Sequence, residues 1–151
     1  GLMMSVGGYA SVGTVDMAKV FSSSAKAKAI RTQLEAKFSA KRDALQAKAE
    51  KIQAEATKYE KNKTIMKKAE RESVEKQLAK DEAQLRNERM AMQRALFSEQ
   101  GEMTKKMFAD VKNVIAKIAK QKHLTMVMPN NAILFSNDDS DITGDVIDRL
   151  K

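Results

Sequence analysis

The 151-residue sequence contains no cysteine, no tryptophan, one proline and one histidine. Without cysteine, disulfide bonds, thiolate metal sites and cysteine nucleophiles are excluded. The single histidine, His123, excludes a histidine cluster of the zinc type, and its place at a predicted helix end favours a cationic cap as its role. No phosphate-binding glycine loop is present either. We therefore predict that the protein is not an enzyme and that it uses no metal or cofactor.

Long hydrophobic runs are also missing, because no apolar stretch approaches the ~20 residues that span a bilayer. The first ten residues, GLMMSVGGYA, are small and apolar, and Gly8 and Ala10 have the small-x-small spacing of a cleavage site. We interpret residues 1–10 as the remnant of a signal peptide or as a tag.

Charge is distributed unevenly along the chain. Residues 26–122 contain 25 Lys and Arg against 14 Asp and Glu, a balance of +11, within a net charge of +8 for the whole chain. The remaining residues therefore carry a balance of −3. A basic centre of this kind attracts anionic partners, such as acidic polypeptides, lipid headgroups or nucleic acid, and the attraction weakens with salt.

The residues that are present in abundance, namely Ala, Lys, Glu and Gln, are typical of long helices. Phe38, Leu45, Ile52 and Tyr59 recur every seven residues, which is the spacing of a coiled-coil seam. A second narrow apolar stripe on the returning helix consists of Val74, Leu78, Leu85, Met92, Leu96, Met103, Met107, Val114 and Ile118. Because both stripes are about one residue wide, they predict an antiparallel pair of helices rather than a larger bundle.

We assign this helical hairpin, called the predicted arm, to residues 25–122, with its tip near 61–66. A serine of the run 22–24 is expected to cap the first helix. Asn62 is expected to end that helix in a left-handed conformation, and Thr64 to cap the second helix.

The segments outside the arm, 11–24 and 123–151, form the predicted hub. Strands are expected near 11–17, 124–128 and 132–136. The last two are joined as a β-hairpin through Pro129 and two asparagines. A short helix is expected near 142–150, capped by Asp141 or Thr143. The fold class is thus α+β, mostly α. A hub of about fifty residues buries little surface and leaves strand edges open, so we expect it to trimerise through its strands.

Three sets of candidate site residues follow from these patterns. Flexible or exposed apolar side chains on the arm suit a surface that accepts many partner shapes, and basic side chains on the second helix suit anion contact. Both sets also have a structural alternative. The apolar side chains could simply pack the hairpin, and the basic side chains could form a solvated helix face on which the arginines pair with nearby glutamates. The sets are client-binding Ile65, Met66, Met90, Met92 and Phe97; anion-contacting Arg71, Lys76, Arg86, Arg89 and Arg94; and trimer-forming Val12, Val15, Leu124, Met126, Met128, Ile133 and Phe135.

The order of elements, with VGTVDMAKVF at 12–21 and HLTMVMPNNAILFSNDDSDITGDVIDRLK at 123–151, resembles the Skp (OmpH-like) family of periplasmic chaperones. The resemblance covers nearly the whole chain from Val12, and its most specific part is the terminal block. It implies a homotrimer in which strands of three chains build the hub and three helical arms enclose a cavity. It also implies cleavage after Ala10.

The activity implied by this resemblance is that of an ATP-independent holdase in the periplasm of a Gram-negative bacterium, which keeps unfolded outer-membrane β-barrel proteins from aggregating. Two other classes stay open. One is a prefoldin-like or generic coiled-coil interaction module, and the other is a binder of lipopolysaccharide, anionic membrane or nucleic acid through the basic arm. No specific nucleic acid is expected, since no aromatic platform or groove-reading motif accompanies the charge.

Overall fold

The structure, a computed structural model, describes residues 11–150. Along the chain it contains two strands and four α-helices, joined by short loops and 3-10 turns. The predicted fold class, mostly helical with a small sheet and one long helical hairpin, is confirmed. The elements are β1 (Val12–Val15), α1 (Met17–Ser23), α2 (Ala25–Asn62), α3 (Lys68–Gln121), β2 (Met126–Pro129) and α4 (Thr143–Arg149).

Helices α2 and α3 are long because their sequences contain no proline and only Gly101 as an interior glycine. The start of α2 is capped as predicted: the buried Ser24 hydroxyl accepts a hydrogen bond from the Ala27 backbone N–H at 3.1 Å. Asp16 caps α1 in the same way, accepting from the Lys19 N–H at 3.0 Å. These side chains satisfy amide groups that the first turn of a helix leaves without partners.

The end of α3 is closed by His123, which has a positive φ of 56°. The His123 N–H donates to the Lys120 carbonyl at 3.4 Å, and the Leu124 N–H donates to the Ala119 carbonyl at 2.8 Å. This pair of bonds is a Schellman motif, which satisfies carbonyls at the helix end and reverses the chain direction. His123 therefore ends the helix through its backbone conformation.

The connection between α2 and α3 contains a 3-10 turn at Lys63–Ile65. The predicted roles of two residues here are wrong. Asn62 keeps a right-handed conformation, with φ −106° and ψ −12°, and Thr64 lies inside the turn instead of capping α3. A right-handed Asn62 continues directly into the tighter 3-10 turn, so no left-handed residue is needed.

The chain divides into two compact units, and each has its own packing. Within the described residues, the base unit consists of 11–32 and 102–150, and the hairpin unit of Gln33–Gly101. The base unit is larger than the predicted hub because it includes one end of α2 and one end of α3. Its buried core contains Val15, Val20, Ala27, Met107, Val111, Ile118, Ile142, Val146 and Leu150.

The sheet of the base unit differs from the prediction. Strand β1 pairs with β2 in parallel, with Val12 opposite Met126 and Val15 opposite Pro129. The predicted β-hairpin is wrong: residues 130–132 form a 3-10 turn, as the Pro-Asn-Asn sequence favours, but 132–136 form no strand within the described part of the chain. The parallel partner of β2 comes from more than a hundred residues earlier in the sequence.

A small hydrogen-bond cluster joins β1 to the start of α4. The Thr143 hydroxyl accepts from the Asp16 N–H at 2.9 Å, and it donates to a carboxylate oxygen of Asp141 that also accepts from the Thr143 N–H. These bonds lower the pKa of Asp141 below its ordinary value. The Asp-Ile-Thr sequence thus fixes α4 against the strand.

Gly13 lies where the strand passes closest to neighbouring side chains. A Cβ at this position would be 2.7 Å from Leu124 Cδ1 and 3.4 Å from Val127 Cγ2. A larger residue would push Leu124 away from the core against which it packs. The glycine of the VGTVDM sequence therefore leaves room for the Leu124 side chain, because it brings no side-chain atoms into this space.

The hairpin unit has a seam in place of a core. Leu45, Ile52 and Leu85 form its buried cluster, against which Ala49 and Met92 pack. Leu34 and Tyr59 are also buried at seam positions. Of the predicted heptad positions, Leu45, Ile52 and Tyr59 are therefore buried between the helices, and Phe38 is partly buried.

Candidate functional site

Three apolar side chains of the hairpin unit are exposed to solvent. Ile65 is 85% exposed in the turn between the helices, Phe97 is 78% exposed on α3, and Met90 is about half exposed. Met90 and Phe97 are seven residues apart, so they lie on the same side of α3. These three predicted client-binding residues form an exposed apolar set that contributes little to the packing of the unit.

The other two predicted client-binding residues are partly buried. Met92 packs against the seam cluster of Leu45, Ile52 and Leu85, which favours a packing role. Met66 lines a groove at the end of the hairpin unit, of about 450 Å³, which we call the tip groove. The residues that line the tip groove are Glu55, Lys58, Tyr59, Asn62, Met66, Val74, Gln77 and Leu78.

Sequence analysis singled out only Met66 among the residues of the tip groove as a binding residue. Tyr59 was recognised as a seam residue, and its ring is buried with its hydroxyl hydrogen-bonded to Glu75. This hydrogen bond raises the pKa of the Tyr59 hydroxyl. The signal that could have found the groove is the pair Val74 and Leu78, which keep seam spacing in the terminal turns of a hairpin.

The predicted anion-contacting residues have no carboxylate partners within residues 11–150. Three of their neighbouring glutamates are engaged elsewhere: Glu88 pairs with Lys48 at 3.2 Å, Glu72 lies 3.9 Å from Lys68, and Glu75 accepts from Tyr59. Arg71 is partly buried, and the other four are exposed. These four, Lys76, Arg86, Arg89 and Arg94, form the basic strip.

Three of the basic residues flank the exposed apolar pair on α3. At 100° per residue, Arg86, Met90, Arg94 and Phe97 fall within an arc of about 80° on the helix, and Arg89 lies at about 60° from its edge. The same face therefore presents apolar surface and positive charge together. Such a face can contact apolar side chains and carboxylates of one polypeptide at once.

Ion pairs elsewhere in the hairpin unit connect the two helices or lie along one helix. Lys37 meets Glu99 at 2.7 Å across the helix pair, and Arg42 meets Glu35 at 2.8 Å along α2. The Arg42 guanidinium holds the pKa of the Glu35 carboxyl below its ordinary value. Lys37 and Glu99 thus join the two helices, whereas the basic strip stays available to a partner.

The base unit carries a second apolar surface. Leu134 and Phe135 are almost fully exposed, and Met126 is about half exposed on β2. A nearby groove of about 430 Å³ is lined mainly by apolar side chains, including Phe108, Ile115 and Met126. Leu134 was missed in the sequence analysis, although its place within the apolar run Ile133–Phe135 could have identified it.

The predicted trimer-forming residues divide into two groups. Val15 is buried in the core of its own subunit, and Leu124 is partly buried against that core, which leaves little of either for contact with another chain. Val12, Met128 and Ile133 are partly buried. Met126 and Phe135 are the members of the set that expose large apolar side chains.

Two further properties bear on function. Within residues 11–150, no group of three or more His, Cys, Asp or Glu side chains is placed to hold a metal ion. None of the described helices is both long enough and apolar enough to cross a membrane. The predicted cleavage site after Ala10 lies outside the described residues.

Comparison with known proteins identifies a family and a solved structure of similar fold. The family model described as "Outer membrane protein (OmpH-like)" matches residues 11–150. The chain is similar in fold to the crystal structure of a proposed outer membrane chaperone (OmpH-like) from Caulobacter crescentus CB15, with a TM-score of 0.84 and 15% sequence identity. That match covers 94% of this chain and 84% of the other.

No curated protein sequence matches the chain. The family match spans the strands, the long helices and the terminal helix, and so it includes both segments on which the sequence resemblance was based. The resemblance is confirmed, and the chain belongs to the OmpH-like family.

Proposed function

We propose that this protein is an ATP-independent holdase chaperone of the periplasm, which binds unfolded outer-membrane proteins and prevents their aggregation without catalysis. The observation that carries the proposal is the exposed apolar set Ile65, Met90 and Phe97 on a helical pair that is otherwise polar outside. Family membership and the fold relative described as an outer membrane chaperone support it. A folded unit that leaves such side chains in water gains by covering apolar segments of another chain.

The basic strip supports binding of acidic clients. Arg86, Arg89 and Arg94 have no carboxylate partner among the described residues, and they flank the apolar pair on α3. Contacts of this kind are individually weak, so holding a client requires many of them. The same strip would attract other polyanions, including lipopolysaccharide or an anionic membrane surface.

We further propose that the working form is a homotrimer joined through the base unit, with clients held between the hairpin units of three subunits. Within the described residues, β2 has a strand neighbour on one side only, and residues 133–136 have no strand partner. An open strand edge and exposed Leu134 and Phe135 are features that pairing with a sister chain would cover. Light scattering of the purified protein should give three times the subunit mass, and a monomeric mass at micromolar concentration would contradict this.

The holdase proposal is tested by diluting a denatured outer-membrane β-barrel protein from urea and following turbidity. The native chain should suppress aggregation at moderate salt. Replacing Ile65, Met90 and Phe97 together by Ser should remove most of the suppression, while the helical content stays unchanged, because surface substitutions alter stability by only about 0.5 kcal/mol each.

A matched control replaces three exposed polar residues of the same unit by Ser, namely Gln84, Gln93 and Gln100. This control should protect the client as well as the native chain does, since no apolar surface is removed. Equal activity of the two triple variants would contradict the apolar set as the binding surface. Failure of the native chain to suppress aggregation would contradict the function itself.

A further inference from the structure

The tip groove has the size and composition of a binding site for one side chain or a short segment. Its volume of about 450 Å³ lies within the roughly 300–1,000 Å³ typical of ligand pockets. Its lining comes from the last turns of α2, from Met66 in the connection between the helices, and from the early turns of α3. Four large apolar or aromatic side chains line it: Tyr59, Met66, Val74 and Leu78.

The groove exists because the seam is incompletely covered near the tip. The buried cluster of the hairpin unit consists of Leu45, Ile52 and Leu85, all on the far side of the groove from the turn. Val74 and Leu78 continue the seam spacing toward the turn, yet both are only partly buried. Apolar surface left in water in this way gains about 25 cal/mol for each Å² that a ligand covers.

The two walls of the groove differ in rigidity. The Tyr59 ring is buried, and its hydroxyl donates a hydrogen bond to Glu75 on the opposite helix, which holds the ring in one orientation. Met66 has an unbranched, polarisable side chain that adapts to different shapes. One fixed aromatic wall and one adaptable wall suit apolar side chains of several shapes rather than a single ligand.

Charge around the groove is positive on balance. Residues 55–78, which include every residue of the lining, contain seven basic side chains against five acidic ones, and the lining itself contains Glu55 and Lys58. Glu60 is already paired with Lys63 at 2.7 Å. Lys58 lines the groove, and Lys61 and Lys67 lie in or beside the connection that Met66 belongs to; these three form the rim. None of them forms an ion pair within residues 11–150. A ligand that brings carboxylates beside its apolar group would complement this rim.

We propose that the tip groove binds one large apolar side chain of an extended, acidic polypeptide segment, with flanking carboxylates held by the lysines of the rim. This rests on the proposed function, because unfolded clients present such segments. The tip groove would then select client segments by their amino-acid sequence, whereas the exposed apolar and basic face of α3 would not.

The test uses a fluorescent peptide of about twelve residues with one Leu flanked by Asp and Ser, titrated into the full-length protein with methionine methyl groups labelled with ¹³C. Saturable binding should shift the methyl signal of Met66 more than those of Met126 and Met128. Two matched peptides, one with Ser for Leu and one with Lys for Asp, should bind at least about tenfold more weakly, the factor expected when one buried contact is lost.

Val74→Trp fills the groove and should weaken binding of the acidic peptide at least about tenfold. Ala83→Trp adds the same side chain at an exposed position of α3 outside the groove, and should leave binding unchanged. Should Val74→Trp lower the helical content, the exposed pair Lys58→Glu and Lys61→Glu gives the second test, because it should reverse the preference between the acidic and basic peptides.

The proposal is overturned if Val74→Trp binds the peptide as the native chain does, if both charge versions bind equally, or if the Met66 signal does not move. In any of these outcomes, native suppression of barrel aggregation would leave the holdase function standing. Loss of aggregation suppression with intact peptide binding would contradict the holdase function and retain the groove as a peptide site.

Discussion

The base unit and the hairpin unit bury apolar side chains in different ways. The core of the base unit takes residues from β1, α1, α4 and the ends of α2 and α3, so that each member is covered from several directions. The seam of the hairpin unit is formed by two helices, and each member is covered from one side. A core that several elements cover from different directions is closely packed and holds one structure. A pair of helices buries only the seam between them, so their outer faces remain open to contact with other molecules.

This difference predicts that the same substitution lowers the free energy of unfolding by different amounts in the two units. Ile118 is 0% exposed in the base core, and Ile52 is 7% exposed in the hairpin seam. Ile118→Ala should lower the free energy of unfolding by about 3–5 kcal/mol, because the surrounding core cannot collapse into the cavity. Ile52→Ala should cost about 2 kcal/mol, since a two-helix seam relaxes more easily.

Urea denaturation followed by circular dichroism measures both variants, at one fixed protein concentration because assembly would couple stability to concentration. Amide hydrogen exchange then shows in which unit each variant has lost stability. Ile118→Val and Ile52→Val are the conservative controls, with expected costs of about 0.5–1.5 kcal/mol. Equal losses for the two alanine variants would show that the seam is as rigid as the core.

The second prediction removes a polar contact that only the base unit possesses. Thr143→Val keeps the shape of the side chain but deletes the hydroxyl that accepts from the Asp16 N–H and donates to Asp141. The loss should be about 1–3 kcal/mol, because the Asp16 amide is left without its partner in a partly buried site. Thr143→Ser retains the hydroxyl and should recover much of the difference in urea denaturation; no recovery would mean that the methyl group matters instead.

The sequence predicts the hairpin unit better than the base unit, for a physical reason. Leu45, Ile52 and Tyr59 are buried, as their spacing predicts. A seven-residue repeat places apolar side chains on one face of a helix, and that is the face that a partner helix covers. Periodicity missed Val111, however, which is fully buried where the two-helix seam gives way to a core of several elements. In the base unit, several elements cover α3, so its buried face is wider than the single stripe that a seven-residue repeat identifies.

The base sheet could not be predicted from local sequence. Pro129 and the two asparagines do produce a turn at 130–132, but a turn signal does not state which segment becomes the partner strand. Strand β2 pairs instead with β1, and parallel pairing across more than a hundred residues leaves no local pattern. The tip groove was missed for a similar reason, because it is a gap left by packing rather than a motif.

The third prediction concerns acid. Hydrogen bonds from Thr143 lower the folded-state pKa of Asp141 below its unfolded value, which is about 3.9. Its stabilising contribution is therefore complete above that unfolded value and is lost as the pH falls through the folded value. The stability difference between the native chain and Asp141→Asn should shrink when urea denaturation is repeated from pH 7 down to pH 3.

The hairpin unit supplies the control for this titration. Glu35 also has a lowered pKa, from Arg42, but both side chains are more than half exposed. Glu35→Gln should therefore leave the pH dependence of stability nearly unchanged, because solvent screens such a pair. A larger change for Glu35→Gln than for Asp141→Asn would contradict the assignment of acid sensitivity to the base unit.

The smallest expected effect separates a partly buried from a more exposed ion pair, each of which joins α2 to α3. Lys26 and Asp110 pair in the base unit with side chains about 30% exposed, whereas Lys37 pairs with Glu99 in the hairpin unit with the lysine 57% exposed. Double-mutant cycles to alanine should give a coupling energy near 1 kcal/mol for the first pair and about 0.2–0.5 kcal/mol for the second. Salt at 1 M should reduce the hairpin coupling further, because exposed charges are screened more than partly buried ones. A stronger coupling for Lys37–Glu99 than for Lys26–Asp110 would contradict the assumption that solvent exposure sets the strength of these pairs.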